Sequence, residues 1–147
     1  MEITSPAFTY GSLIPSKHTC DGANTSPPLS FSGAPQGTKS LALISDDPDA
    51  PGRTWVHWVV WNIPAGAVGL NEDVPARDKL ADGTRQGTTD FRRIGYGGPC
   101  PPSGTHRYYF KLYALDTTLD LPASTVKQAL ETAMRGHVLA QAEHMGK

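Results

Sequence analysis

The chain has 147 residues, the length of one ordinary domain, and we predict a single domain over residues 1–147. Thirteen Lys and Arg residues against fourteen Asp and Glu residues give a net charge of −1, and the longest basic run is Arg92-Arg93, which excludes nucleic-acid binding through a basic stripe. Fifteen glycines and thirteen prolines exceed the usual share and favour a mostly β domain with many fixed turns.

The start of the chain, residues 1–6, has neither a basic segment nor an apolar run of the kind that directs secretion. The longest apolar stretch, Trp55–Ile63, is too short to cross a bilayer. We therefore expect a cytoplasmic protein without integral membrane association, unless a leader has been removed.

The two cysteines, Cys20 and Cys100, are too far apart in sequence to form a CxxC motif, which excludes a zinc knuckle and a thioredoxin-type site. Their number and spacing favour two free thiols, and a single disulfide is the alternative.

Four runs with strand composition lie between turn signals. They are Leu29–Ser32, Ser40–Ser45, Trp55–Ile63 and Tyr108–Leu115. Residues 64–90 form a long connection with several glycines, and connections of that length are usually functional or pack over a site.

The Trp55 run can be assigned face by face, because side chains alternate along a strand. Both faces are largely apolar, which predicts a central strand covered on both sides. The pattern puts His57 in the interior beside Trp55, where a core histidine bonded to a backbone carbonyl is the simpler interpretation. One face carries Trp55, His57, Val59, Trp61 and Ile63, and the other carries Val56, Trp58, Val60 and Asn62.

The C-terminal region is the part with helical spacing. Thr125 and Gln128 form a capping-box pattern after Pro122, and Gly136 either weakens the helix or divides it. The apolar positions of this helical element are Val126, Ala129, Leu130, Ala133 and Met134, continued by Leu139 and Ala142.

Two segments carry most of the chemistry. Residues 46–52 hold three carboxylates and two prolines, which is typical of a solvated acidic turn and matches no EF-hand spacing. Residues 95–108 are rich in glycine, so their backbone can approach a ligand and offer N–H groups to an anion. That segment ends in His106, Arg107 and Tyr108, three hydrogen-bond donors at the rim of a strand.

These two segments resemble the signatures of the phosphatidylethanolamine-binding protein family. Asp47-Pro48-Asp49-Ala50-Pro51 resembles its DPDxP motif, and Gly104-Thr105-His106-Arg107 resembles its GxHR motif. Residues 20–22 with 26–30, residues 55–58 and residues 95–102 are similar to the bacterial and archaeal branch, so the resemblance runs from about Thr4 to Met145.

The resemblance implies a large antiparallel sheet packed on a smaller one, and a small anion pocket at one end of the large sheet. It further implies that Arg107 forms a buried fork with the DPDxP carboxylates, and that cis peptide bonds occur at Ala50–Pro51 and near Arg53–Thr54. The pocket would be lined by Asp47, Trp55, His57, Gly98, Pro101, His106 and Tyr108, and supported by Pro48, Asp49, Pro51, Cys100 and Arg107.

The function predicted on this basis is non-enzymatic binding of a small anion, such as phosphate or phosphoethanolamine, without a cofactor or a metal ion. The alternative is a protein-interaction module that inhibits or regulates a protease or a kinase through residues 64–90. Hydrolysis has weaker support, since no GxSxG motif occurs and Cys100 with His106 is the only thiol–imidazole pair. The resemblance also implies a homodimer, formed through an apolar strip on the C-terminal helical region.

Overall fold

The computed structural model describes residues 1–101 and 104–147. Within these residues the chain forms eight β-strands, one α-helix and a short 3-10 turn at Ser16–His18. The strands are β1 Glu2–Thr4, β2 Leu29–Ser32, β3 Ser40–Asp47, β4 Trp55–Pro64, β5 Gly69–Leu70, β6 Arg85–Gln86, β7 Tyr108–Leu115 and β8 Val138–Gly146, and the helix is α1 Lys127–Met134.

The strands form two antiparallel sheets. The smaller sheet has the order β1-β2-β5 and the larger has the order β6-β4-β3-β7-β8. One face of the large sheet packs on the small sheet through a core that includes Phe31, Leu43 and Phe110. The opposite face packs on α1 through Leu130 and Met134. The predicted mostly β architecture, with a C-terminal helix, is confirmed.

Strand β4 is central and covered on both faces, as the sequence predicts, but its side chains do not alternate strictly. Ser45 lies opposite Trp58 whereas Asp46 lies opposite Val56, so His57 is an extra residue that has no partner on β3. A second irregularity falls near Asn62, whose φ is 55°. The two bulges change the faces: Trp58, Val60 and Ile63 point to the small sheet, and Val56, Val59 and Trp61 point to α1.

The C-terminal region corrects two further predictions. The capping box does not form, because Val126 is the N-cap residue and no side chain bonds to the first turn. The helix ends at Met134, and Gly136, at a φ of 81°, turns the chain into β8. Leu139 and Ala142, predicted to continue the helix, belong to strand β8. This strand pairs with β7 along most of its length, and the long-range pairing overrides the local helical pattern. The C-terminal part of the apolar strip that we expected to form a homodimer therefore lies on a strand and not on a helix.

Among the described residues, none forms a helix long and apolar enough to cross a membrane.

Candidate functional site

A cavity of about 280 Å³ lies at the end of the large sheet where β3 stops and β4 and β7 begin. Asp47 ends β3 and is the register partner of Trp55, which starts β4. Tyr108 starts β7, and His106 precedes it by two residues. The antiparallel pairing of β3 with both neighbours thus brings the two predicted motifs to one place. The cavity is lined by Asp47, Ala50, Pro51, Trp55, His57, Phe91, Cys100, Pro101, His106 and Tyr108.

Six of the seven predicted pocket residues line this cavity, and Gly98 does not. The Gly98 N–H donates to the side-chain oxygen of Asn24 at 2.8 Å, so it is not offered to a ligand. A Cβ atom at Gly98 would collide with the carbonyl oxygen of His18, because two loops pack closely there. Among the predicted supporting residues, Pro51 and Cys100 line the cavity, whereas Pro48, Asp49 and Arg107 are exposed and lie outside the lining.

Asp47 and His106 form a buried pair in the cavity wall. Nδ1 of His106 lies 2.6 Å from Oδ2 of Asp47, and both residues are buried. The other carboxylate oxygen of Asp47 accepts the N–H of Asp49 at 2.7 Å. Because the carboxylate accepts, Nδ1 of His106 carries the proton and Nε2 is the nitrogen left for a ligand.

His57 is held by a reciprocal pair of hydrogen bonds with Gly97. Nδ1–H of His57 donates to the Gly97 carbonyl at 2.6 Å, and the Gly97 N–H donates to the His57 carbonyl at 3.0 Å. Burial lowers the pKa of His57, so the ring is neutral near pH 7 and Nε2 carries its lone pair. His57 is therefore both a core histidine bonded to a backbone carbonyl and a lining residue of the cavity.

Tyr108 contributes a hydroxyl that is buried and has no hydrogen-bond partner among the described residues. Its ring lies between the two histidines, edge-on to His57 with centroids 5.4 Å apart and stacked on His106 at 6.3 Å. Burial, together with the charges of Asp47 and Asp49, raises the pKa of Tyr108 to about 12. The hydroxyl thus stays protonated and is a donor that the protein leaves unused.

An aromatic wall faces these polar groups. The Phe91 ring lies edge-on to Trp55 and tilted against His57, in both cases with centroids 5.5 Å apart. Asp90 fixes this segment, because its carboxylate accepts the Val56 N–H at 2.7 Å and a guanidinium N–H of Arg53 at 3.0 Å. The sequence analysis missed Phe91; its one signal is that no other aromatic residue lies between Trp61 and Tyr96.

Arg107 forms the predicted fork with Asp49, but on the surface. Nε and Nη2 of Arg107 donate to the two carboxylate oxygens of Asp49 at 2.9 and 2.8 Å, and the Arg107 backbone N–H adds a third bond at 2.9 Å. These bonds lower the pKa of Asp49 to about 2. The side chain of Arg107 is 48% exposed, so the pair is not the buried fork that the resemblance implies.

The loop between Asp47 and Gly52 also differs from expectation at its peptide bonds. No cis peptide bond occurs in residues 1–101 and 104–147, so Ala50–Pro51 and Arg53–Thr54 are both trans. The bond from the Asp49 N–H to Asp47 and the positive φ of Gly52, 78°, turn the chain without a cis bond.

The expectation of two free thiols is wrong, because Cys20 and Cys100 form a disulfide with Cα atoms 5.4 Å apart. The fold brings residues 16–25 against residues 95–101, which the sequence separation conceals. The thiol–imidazole pair considered for hydrolysis is therefore absent, since the sulfur of Cys100 is bonded to Cys20.

The third carboxylate of the acidic segment belongs to another part of the protein. Asp46 is fully buried, and its Oδ2 accepts from Lys111 at 3.1 Å and from Lys127 at 2.8 Å. It ties β3 to β7 and α1 on the face opposite the small sheet. Across the part of the chain that the structure describes, no three His, Cys, Asp or Glu side chains are placed to hold a metal ion.

Comparison with known proteins identifies the family of the chain. A family model described as phosphatidylethanolamine-binding protein matches residues 4–147. A UPF0098 protein from Methanothermobacter thermautotrophicus is 54% identical over 146 residues, which cover 99% of this chain and 97% of that protein. Another from Aquifex aeolicus is 47% identical over 149 residues, covering 99% and 86%.

Two crystal structures have nearly the same fold. A putative phosphatidylethanolamine-binding protein homologue from Chlamydia trachomatis superposes with a TM-score of 0.91 at 43% identity, covering 99% of this chain and 94% of that one. YbcL of E. coli, described as a member of the mammalian PEBP family, also gives 0.91 at 39% identity, covering 99% and 95%. The family model spans nearly all of the chain, and the relatives share its sequence and its fold, so the chain belongs to the phosphatidylethanolamine-binding protein family.

Proposed function

We propose that the cavity binds a small oxyanion, such as inorganic phosphate or the phosphate of a head group like phosphoethanolamine, and that it does so without catalysis. The observation that carries this proposal is the Tyr108 hydroxyl. A buried hydroxyl without a partner costs about 1–3 kcal/mol, and an oxygen acceptor from a ligand would remove that cost.

The two histidines complete the set of polar groups that would surround the anion. Each uses Nδ1–H inside the protein, His57 toward the Gly97 carbonyl and His106 toward Asp47, so each has Nε2 left. A neutral Nε2 accepts a hydrogen bond, and a protonated one donates. An anion therefore favours protonation of both rings, and a ligand hydroxyl or ammonium group would instead donate to Nε2 or to Asp47.

The size and composition of the cavity restrict the ligand. About 280 Å³ accommodates a phosphate with a few further atoms, not a phospholipid with two acyl chains. Among the residues that the structure describes, no Lys or Arg lines the cavity, so we expect weak affinity, because tight phosphate binding uses the bidentate contacts of such side chains.

Sulfate titration by calorimetry tests the proposal, because sulfate keeps its charge between pH 5.5 and 8 whereas phosphate does not. At constant ionic strength we expect sulfate to bind at least several-fold more tightly at pH 5.5, because an anion beside His57 favours the protonated ring, whose Nε2–H becomes a donor. Sulfate affinity that is equal at both pH values would show that neutral donors alone hold the anion.

Two variants identify the site. His57→Ala and His106→Ala should each weaken sulfate binding at pH 5.5. His137→Ala is the matched control, because His137 lies away from the cavity, where its Nδ1 is 2.7 Å from a carboxylate oxygen of Asp116. If both cavity variants bind sulfate as the unmodified protein does, the assignment of the cavity is wrong.

A further inference from the structure

Cys100 and Pro101 form part of the cavity wall, and the segment that carries them, residues 98–101, is attached to a second loop. The second loop, residues 16–25, contains the 3-10 turn and Cys20. The disulfide is the only covalent link between the wall and this loop in the part of the chain that the structure describes.

Three hydrogen bonds accompany the disulfide. The Cys20 N–H donates to the Pro99 carbonyl at 3.1 Å, and the Gly98 N–H donates to the side chain of Asn24 at 2.8 Å. The Tyr96 hydroxyl donates to the His18 carbonyl at 2.8 Å. These contacts hold the wall at successive residues, and the last of them is the disulfide at Cys100, which itself lines the cavity.

Gly97 connects this wall to the centre of the cavity. It exchanges two hydrogen bonds with His57, at 2.6 and 3.0 Å, and it is followed directly by Gly98. A change in the order of residues 98–101 therefore acts on the ring that the proposed anion would contact.

Both cysteines are exposed, although Cys100 also borders the cavity. Thiol–disulfide exchange requires that a thiolate reach one of the two sulfurs, and exposed disulfides are the ones most open to that attack.

We propose that Cys20–Cys100 is a site of thiol–disulfide exchange with a dithiol, and that its redox state sets the order of the cavity wall and hence the affinity of the cavity for its ligand. The oxidised form holds residues 98–101 against residues 16–25 and keeps the cavity shaped. The reduced form leaves the same wall on hydrogen bonds alone. The affinity part of this inference rests on the proposed anion binding; the ordering of the wall does not.

The exchange reaction balances with a dithiol as the reductant. A thiolate of the dithiol attacks one sulfur of the disulfide, the S–S bond breaks, and the other cysteine leaves as a thiolate. The second thiol of the reductant, as its thiolate, then attacks the mixed disulfide and releases the remaining cysteine. The two released cysteine thiolates take up the two protons that the dithiol gives up. The dithiol itself is oxidised to an intramolecular disulfide.

Amide hydrogen exchange of the whole protein, with and without dithiothreitol, tests the wall directly. We expect exchange of the Gly98 amide to quicken at least tenfold on reduction, because its partner Asn24 is then no longer held near it. The amide of Leu43, in the centre of β3, is the internal reference, because it exchanges through unfolding of the whole domain, and Gly98 should be less protected than Leu43 in the reduced protein. Equal Gly98 rates in the two redox states would overturn the inference.

Sulfate affinity at pH 5.5 supplies the second measurement. Reduction should weaken sulfate binding at least threefold, and a Cys20→Ser/Cys100→Ser variant should match the reduced protein and not respond to dithiothreitol. Unchanged affinity on reduction of a protein that binds sulfate would overturn the coupling. If the oxidised protein does not bind sulfate, the proposed function fails, and the Gly98 amide alone decides whether the disulfide orders the wall.

Reduced unmodified protein serves in place of the double variant if that variant does not fold. The oxidised and reduced samples of the unmodified protein then differ only in whether the two sulfurs are joined. A Gly98 amide that is as strongly protected as Leu43 in the reduced protein would indicate that Gly98 exchanges only when the whole domain unfolds, and would overturn a role confined to the cavity wall.

Discussion

Tyr108 and His57 meet edge to face in the interior of the cavity, and each has one polar atom that the described residues do not use. Such atoms are costly in a folded protein, because burial removes them from water without returning a hydrogen bond. Both groups stay uncharged near neutral pH, since burial lowers the pKa of the imidazole and raises that of the phenol. The resting cavity thus holds neutral groups that can change their hydrogen-bonding role when a ligand arrives.

Removal of the Tyr108 hydroxyl should separate stability from binding. Tyr108→Phe deletes an unpaired buried group, so we expect the free energy of unfolding to stay the same or rise by up to about 1 kcal/mol. The same change should weaken sulfate binding about tenfold, because it removes one hydrogen-bond donor to the anion. Urea unfolding and calorimetry measure the two effects, and Tyr113→Phe, on the same strand but outside the cavity, is the control. A large loss of stability in Tyr108→Phe would show that the hydroxyl has a partner.

Acid should destabilise the domain through His57. Its pKa is lower in the folded protein than in the unfolded chain, so the unfolded chain takes up the proton first as the pH falls below about 6.5. The free energy of unfolding then decreases by at most about 1.4 kcal/mol per pH unit for this group. Urea unfolding at pH 7 and pH 5 should show a smaller acid loss for His57→Gln than for the unmodified protein.

Two other histidines serve as references for this comparison. His144 is shifted in the same direction by burial, so part of the acid loss should persist in His57→Gln. His137→Gln is the control on the surface and should retain the full acid loss. An acid loss that is identical in the unmodified protein and His57→Gln would contradict a neutral His57 in the folded state.

The loop between β3 and β4 is shaped by one carboxylate that turns it and one ion pair that fastens it. Asp47 accepts the Asp49 N–H inside the loop, and Asp49 then receives three N–H groups of Arg107 from the segment before β7. The two predicted motifs are therefore connected outside the cavity as well as in its wall. The pair is well exposed, so its role is to place the loop and not to stabilise the whole domain.

Arg107→Ala should release this loop, and the pKa of the Asp49 carboxyl should show the change. Without the guanidinium, the pKa of Asp49 should rise from about 2 toward its ordinary 3.8, and carbon-detected NMR titration follows it directly. Arg107→Lys should also raise it, because an ammonium group cannot form the two-point fork. Arg85→Ala, which breaks the comparable pair with Asp78, is the control and should leave Asp49 unchanged.

Elements with strong local patterns were predictable, and those fixed by distant partners were not. The bounds of β2 and β7 follow from their composition, because each is a short apolar run between turn residues. The sequence from Val138 onward has helical spacing, and only its ladder with β7 makes it a strand. The same holds within β4, where the bulges at His57 and Asn62 depend on register with β3 and not on local composition.

The site was predictable where a motif marks it and not elsewhere. Asp47 and His106 belong to recognisable motifs, and both line the cavity. Phe91 comes from a turn without a motif, and its place depends on Asp90 bonding to β4. Gly98 belongs to a recognisable stretch, but its N–H group is used by Asn24, and no local pattern shows that contact.

On the scale of the whole molecule, the disulfide joins residues that are 80 positions apart. A cross-link that closes so long a loop restricts the unfolded chain, and the chain-entropy model gives about 4.5 kcal/mol, within a usual range of about 2–5 kcal/mol. Reduction should lower the free energy of unfolding in urea by an amount in that range. The Cys20→Ser/Cys100→Ser variant is the control, because dithiothreitol should not change it. No change on reduction of the unmodified protein would show that the thiols are not joined in solution.

The homodimer stays a prediction. The exposed apolar side chains Val138 and Leu139 lie on β8, an edge strand of the large sheet, and not on a helix. Light scattering at high protein concentration should give a mass of about twice 15.7 kDa. A mass near 15.7 kDa would exclude a stable dimer.

The bulge at His57 links the chemistry of the cavity to the length of β4. Because His57 is the extra residue without a partner on β3, the pairs on either side of it, Asp46 with Val56 and Ser45 with Trp58, are those of a regular ladder. A chain lacking His57 would therefore keep Val56 toward α1 and Trp55 in the cavity. A one-residue deletion would remove the imidazole and leave the rest of β4 in register. The bulge thus adds a side chain to the cavity without moving its neighbours to the opposite face of the sheet.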